Sequence, residues 1–166
     1  MKRTLKIVFA IIIFIAFTPD QVKAQQMKVG GGLVYASSVN SIGISLNGEY
    51  QFTDEWSASP AFTYFLKKDD YWTRMTLDLD ANYKFKEIEG VGGLYGIGGL
   101  AFTFDSFSWG DSTLDGYNNT STSLGLNLGI GLNFALAEKM TIAPELRYTI
   151  MSGGYLRIGA KFMYSL

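Results

Sequence analysis

Ten ionisable side chains share one parity of an alternating pattern: Glu49, Asp78, Asp80 and Glu145 with Lys28, Arg74, Lys84, Arg147, Arg157 and Lys161. Paired carboxylates do general acid–base work when one is held protonated. A cation beside each one instead makes a structural ion pair, and that reading is favoured wherever the residues are enclosed. The chain has no histidine, so a Ser–His nucleophile pair is excluded. It has no cysteine either, so neither a thiol nucleophile nor a disulfide is available. No cofactor and no metal is expected. Gly96 to Ala101 fits a dinucleotide fingerprint only formally, because no strand–helix–strand unit surrounds it. The acids and amides from Asp111 to Asn119 miss the spacing of a calcium loop.

The elements that hold these charges alternate with period two. Leu124, Leu126, Leu128, Ile130, Leu132 and Phe134 are separated by Gly125, Asn127, Gly129, Gly131 and Asn133. A strand sends successive side chains to opposite faces, so this segment has one apolar and one polar face. Similar strands are predicted over Met27–Tyr35, Ile42–Phe52, Trp56–Leu66, Arg74–Phe85, Met140–Ile150 and Leu156–Leu166. Across these seven the apolar face carries no charge and the opposite face carries all ten, a separation that random placement does not produce. An eighth strand, about Gly93 to Phe104, is less regular. There Leu94, Leu100, Phe102 and Phe104 compete with Tyr95 and Ile97 for the apolar face, and a bulge near Gly98-Gly99 would let both sets point outward.

Before these strands stands a leader. Lys2, Arg3 and Lys6 precede eleven apolar residues, Ile7 to Phe17, and Val22-Lys23-Ala24 has a cleavable pattern. Residues 1–24 are therefore expected to be a signal peptide and 25–166 a single domain. The apolar run is too short to span a bilayer, which takes roughly 20 residues. Beyond the leader ten basic and fourteen acidic residues remain, which gives no reason to propose nucleic acid as a partner.

One apolar face suits either a membrane barrel or a soluble barrel with a greasy interior. The aromatics decide for the membrane. Tyr50, Phe52, Trp56, Tyr83, Phe85, Phe134, Phe162 and Tyr164 gather at one end of the strands, and Tyr35, Tyr64 and Tyr148 at the other. Such belts mark the two interfaces of a bilayer. The expected fold is all-β: an eight-stranded antiparallel up-and-down transmembrane barrel, with lipid outside and polar side chains within. Short connections lie on the side of the chain ends, and the longer segments, Lys67 to Tyr71 and Asp105 to Ser121, lie on the other. In barrels of this type the long loops are extracellular. The two halves also echo each other, with Trp56, Pro60 and Tyr64 matched by Met140, Pro144 and Tyr148.

The last strand, Arg157-Ile158-Gly159-Ala160-Lys161-Phe162-Met163-Tyr164, resembles the terminal assembly signal of bacterial outer-membrane barrels, although the chain ends in Leu166 rather than Phe. Through it and the eight strands, the chain resembles the small OmpX/OmpA-type barrels of the porin-like group. The resemblance implies a bacterial outer-membrane location and assembly by the barrel-assembly machinery, with Arg157, Gly159, Phe162, Tyr164 and Leu166 as the signal. It implies little about activity.

The expected function is non-enzymatic: a monomeric barrel in outer-membrane lipid, structural or adhesive through its extracellular loops. Phe107, Trp109, Leu114 and Tyr117 put four bulky apolar side chains in one loop, which suits packing at the membrane interface or contact with an external partner. A narrow channel for ions or small solutes is the alternative, and a lipid-modifying enzyme is the less favoured one.

Overall fold

The computed structural model describes residues 26–66, 72–89, 92–109 and 117–166. They form eight strands: β1 (Met27–Ala36), β2 (Ser41–Gln51), β3 (Trp56–Phe65), β4 (Trp72–Ile88), β5 (Gly92–Trp109), β6 (Tyr117–Ala137), β7 (Met140–Ile150) and β8 (Tyr155–Ser165). Each strand pairs antiparallel with its sequence neighbours, and β1 pairs with β8 to close the barrel. The expected leader lies outside the described residues.

The wall is greasy outside and polar inside. Leu46, Leu128 and Ile130 project outward at 70%, 56% and 52% exposure, whereas Asp78, Asn127 and Thr149 are buried. In water that arrangement would expose far too much apolar surface; in lipid it is the stable one. Short connections join the strands at the end where β1 begins and β8 finishes. At the other end, Gly153 turns the β7–β8 hairpin with φ +75°, a conformation open to glycine.

The irregular strand corrects the sequence reading. β5 pairs with β6 in one register from Gly93↔Asn133 to Trp109↔Tyr117, with no bulge at Gly98-Gly99. Parity is therefore unbroken, and Tyr95 and Ile97 point inward, both buried. The register shifts lie elsewhere, between Lys84 and Lys86 on β4 and between Ala135 and Ala137 on β6. The ladder is also interrupted twice. Pairing of β2 with β3 skips from Asn47↔Ala61 to Tyr50↔Ala58, and pairing of β6 with β7 skips from Gly131↔Glu145 to Phe134↔Ile142. Each gap holds a proline, Pro60 or Pro144, which has no N–H to donate.

Strand ends also differ from expectation. Asp105 to Ser121 is not wholly a loop, because its flanks continue the ladder: Asp105 pairs with Ser121 and Trp109 with Tyr117. The apolar alternation fades there because both faces are outside lipid, yet backbone pairing needs no lipid to continue. Beyond Leu126↔Ile150 the described part of β6 pairs with β5 alone, so a β4–β5–β6 flap stands above the rim.

Candidate functional site

The lumen gathers the charged residues into three tiers. In the middle tier three carboxylates, Asp78, Asp80 and Glu145, meet three cations, Arg147, Arg157 and Lys161. Arg157 reaches from β8 to β4 and grips Asp78 with both terminal nitrogens, at 2.7 and 3.0 Å. Arg147 donates to Asp80 Oδ2 at 2.5 Å and also pairs with the Glu145 carboxylate. Lys161 Nζ lies 2.8 Å from Glu145 Oε1 and donates to Ser59 Oγ at 3.2 Å. Asn127 links the acids, its amide donating to Asp78 Oδ1 and Asp80 Oδ1 at 2.8 and 2.9 Å. Its carbonyl accepts from Arg157 and from Thr149. Buried charge is tolerated here because the tier is balanced and densely hydrogen-bonded.

Glu145 shows how register builds this tier. It stands opposite Gly159, and Lys161 is one diagonal step away on the same face of β8. The Tyr95 hydroxyl adds a third donor, at 2.6 Å from Glu145 Oε1.

Nearer the flap, Arg74 faces Asp105 across the β4–β5 ladder and binds it at 2.7 and 3.0 Å, with Ser38 Oγ accepting at 2.7 Å. The Tyr155 ring lies between the guanidinium groups of Arg74 and Arg157, at 5.3 and 5.7 Å. Ala36, Phe65 and Tyr155, with Val34, Val39 and Met151, pack into an apolar cap above it. At the opposite end Lys28 pairs with Glu49 at 2.9 Å and Lys84 with Glu87 at 3.2 Å, around a polar mouth of about 370 Å³ whose lining includes Tyr95.

Chemistry in the middle tier has little room. The cavity beside Arg147, Arg157 and Lys161 measures about 20 Å³, space for a water but not a substrate. Ser59 beside Lys161 resembles a Ser–Lys dyad in composition only. Ser59 is 1% exposed, out of reach of a substrate, and Lys161 is engaged by the Glu145 carboxylate as well as by Ser59.

All ten ionisable residues named from the sequence thus lie on the inner parity, with Lys84 at the mouth. Asp105, Tyr95, Asn127 and Ser59 belong with them, although sequence reasoning does not single them out. A strand ended at Phe104 leaves Asp105 in a loop, and a bulge at Gly98-Gly99 turns Tyr95 outward. Counting parity back from Phe104 and Phe102 without a break turns Tyr95 inward. On β8, Arg157 and Gly159 face the lumen, Phe162 and Tyr164 face lipid, and Leu166 follows the strand. Phe107, Trp109 and Tyr117 lie at the tips of β5 and β6, where only the backbone is described, and Leu114 lies outside the described residues.

The family described as outer membrane protein beta-barrel domain matches residues 7–162. The chain belongs to that family. It is an outer membrane β-barrel of the bacterial type, embedded in lipid. Among solved structures, a major outer membrane protein of Thermus thermophilus is similar at TM-score 0.71 and 13% identity, over 87% of this chain and 100% of that one. The N-terminal β-barrel domain of Pseudomonas aeruginosa OprF is similar at TM-score 0.67 and 16% identity, over 86% and 98%. Ail, the attachment invasion locus protein of Yersinia pestis, is similar at TM-score 0.53 and 18% identity, over 87% and 100%. At such identities the likeness concerns the fold alone. No curated protein matches the chain.

Proposed function

We propose that this outer membrane barrel is a closed, non-conducting and non-enzymatic body that works through its outer surface, in a structural or adhesive role. The filled lumen carries the reading. Ion pairs bridge β4 to β7 and β8 across the interior, and the cavity beside them has room for about one water. A channel needs a continuous wet path, and Tyr95, which lines the 370 Å³ mouth, is tied by its hydroxyl to Glu145 of the central ion network.

The flap supports an outward role. Its β6 edge carries no charge from Tyr117 to Gly125 and, among the described residues, pairs only with β5 beyond Leu126. Natural edges are commonly guarded by lysine, proline or bulges. We assign partner contact to Phe107, Trp109, Leu114 and Tyr117, since aromatic anchors dominate interface energies. Attachment by the Yersinia barrel supplies a precedent on this fold. Cleavage after Ala24, assembly through the β8 signal and a monomeric state complete the proposal.

Two measurements test it. In planar bilayers the purified barrel gives no stable conductance steps; steady steps from the parent protein would establish the channel instead. Cells displaying the barrel adhere to host cells or matrix, and deleting residues 110–116 together with Trp109→Ala and Tyr117→Ala abolishes this while the barrel still assembles. Undiminished adhesion in that variant rejects the adhesive role and leaves the structural one.

A further inference from the structure

We infer that the register shift in β4 builds a binding site for the headgroup of an anionic glycerophospholipid, centred on Lys86 on the outer wall. The site needs only that the barrel stands in lipid, and it holds whether or not the flap binds a partner.

Parity alone would send Lys86 into the lumen, in line with Asp80, Asn82 and Lys84. The shift prevents this, because Lys84 pairs with Tyr95, Lys86 with Leu94 and Glu87 with Gly93. A Cβ at Gly93 would meet the Lys84 side chain and the Glu87 carboxylate, so these three positions share the lumen side. Glu87 takes the inward place and pairs with Lys84 at 3.2 Å. Tyr95 is buried inside, so Leu94, between it and Gly93, points outward, and Lys86 opposite Leu94 points outward with it. Phe85 is outward too, beside Gly96. A bulge re-aims a side chain in just this way.

Lys86 is exposed and makes no ion pair among the described residues. A cation on the lipid side is costly unless its stem lets the ammonium reach the headgroups. The aromatic belt adjoins it. Trp56 and Tyr83 face each other across β3 and β4, both exposed, with ring centroids 4.8 Å apart. Neither the Trp56 indole N–H nor the Tyr83 hydroxyl has a hydrogen-bond partner among the described residues. Lys86 lies three residues nearer the strand end than Tyr83. That layout fits one lipid molecule: the ammonium meets the phosphate, the indole and phenol donors meet the glycerol esters, and the acyl chains lie along Phe85 and Leu94. The unneutralised charge of Lys86 favours a headgroup with net negative charge over one that carries its own ammonium. Barrels of this type keep their short turns in the periplasm, where the facing leaflet is glycerophospholipid.

The test uses the full barrel in dodecyl maltoside micelles, followed by backbone amide NMR during titration with a short-chain phosphatidylglycerol. Phosphatidylcholine with the same chains, and glycerol phosphate with none, are the controls. The phosphatidylglycerol shifts amides at Tyr83, Lys86 and Leu94, and neither control does so at the same concentration. Lys86→Gln weakens this binding about fivefold, the effect of one lysine near an anionic surface, and Lys86→Arg retains it. Both change a single exposed side chain near a strand end, so the barrel folds in each. Lys139→Gln removes a charge from the same end of the barrel, where Lys139 lies over the Tyr164 ring, and leaves the β4 response unchanged. Equal shifts from phosphatidylcholine or from glycerol phosphate, undiminished binding by Lys86→Gln, or an equal loss in Lys139→Gln would each overturn the assignment.

Discussion

Tyr95 stands directly opposite Gly131 in the β5–β6 ladder, and its ring fills the space that a side chain at 131 would need. The same ring carries the hydroxyl that donates to Glu145. A cross-strand packing contact and the central ion network therefore share one residue. Gly131→Ala drives a methyl group into the ring and is expected to cost about 1–3 kcal/mol, as overpacking does. Gly98→Ala faces outward with open space around it and should change stability by less than about 0.5 kcal/mol. Urea unfolding in lipid or detergent micelles measures both.

Glu145 accepts from Tyr95, Arg147 and Lys161, so removing its charge leaves buried cations short of a partner. Glu145→Gln should lower stability by about 3–5 kcal/mol. An unchanged unfolding midpoint would mean that water rather than Glu145 satisfies Arg147 and Lys161.

The Arg74–Asp105 pair tests where the strand ends. Were Asp105 in a loop, Asp105→Ala would be almost silent. In the ladder opposite Arg74 it should cost about 1–3 kcal/mol, with a matching coupling energy in a double-mutant cycle with Arg74→Ala. Glu138→Ala, in the exposed β6–β7 turn, serves as the silent control.

Leu128 lies mid-strand on the lipid face, so Leu128→Arg should cost about 2–4 kcal/mol or block assembly. Leu128→Met keeps the apolar contact with lipid and should fold as the parent does. The heat-dependent gel shift of folded barrels separates the two outcomes.

Much of this architecture is legible in the sequence because lipid and lumen impose opposite demands on neighbouring residues. The outward row from Leu124 to Phe134 and the inward charges on β4, β7 and β8 follow from parity alone. So does the approach of Glu145 to Lys161, since a short hairpin turn fixes the diagonal. Arg157 with Asp78 is a different matter. These residues sit on β8 and β4, and their meeting depends on barrel curvature and strand stagger, which no local pattern encodes. Asp105 escapes the sequence reading because the signal that ends a strand is contrast between faces. That contrast disappears at the membrane boundary, while the hydrogen-bond ladder does not. Tyr95 escapes it because two adjacent glycines invite a bulge that the strand does not make.

The proline gaps at Pro60 and Pro144 lie between β2 and β3 and between β6 and β7, half a circumference apart in a ring of eight. Two softened seams on a common diameter give the wall one easy direction of bending. Rather than breathing evenly, the cylinder should ovalise along a single axis, with fast amide exchange at both seams and slow exchange in the two halves of the wall between them.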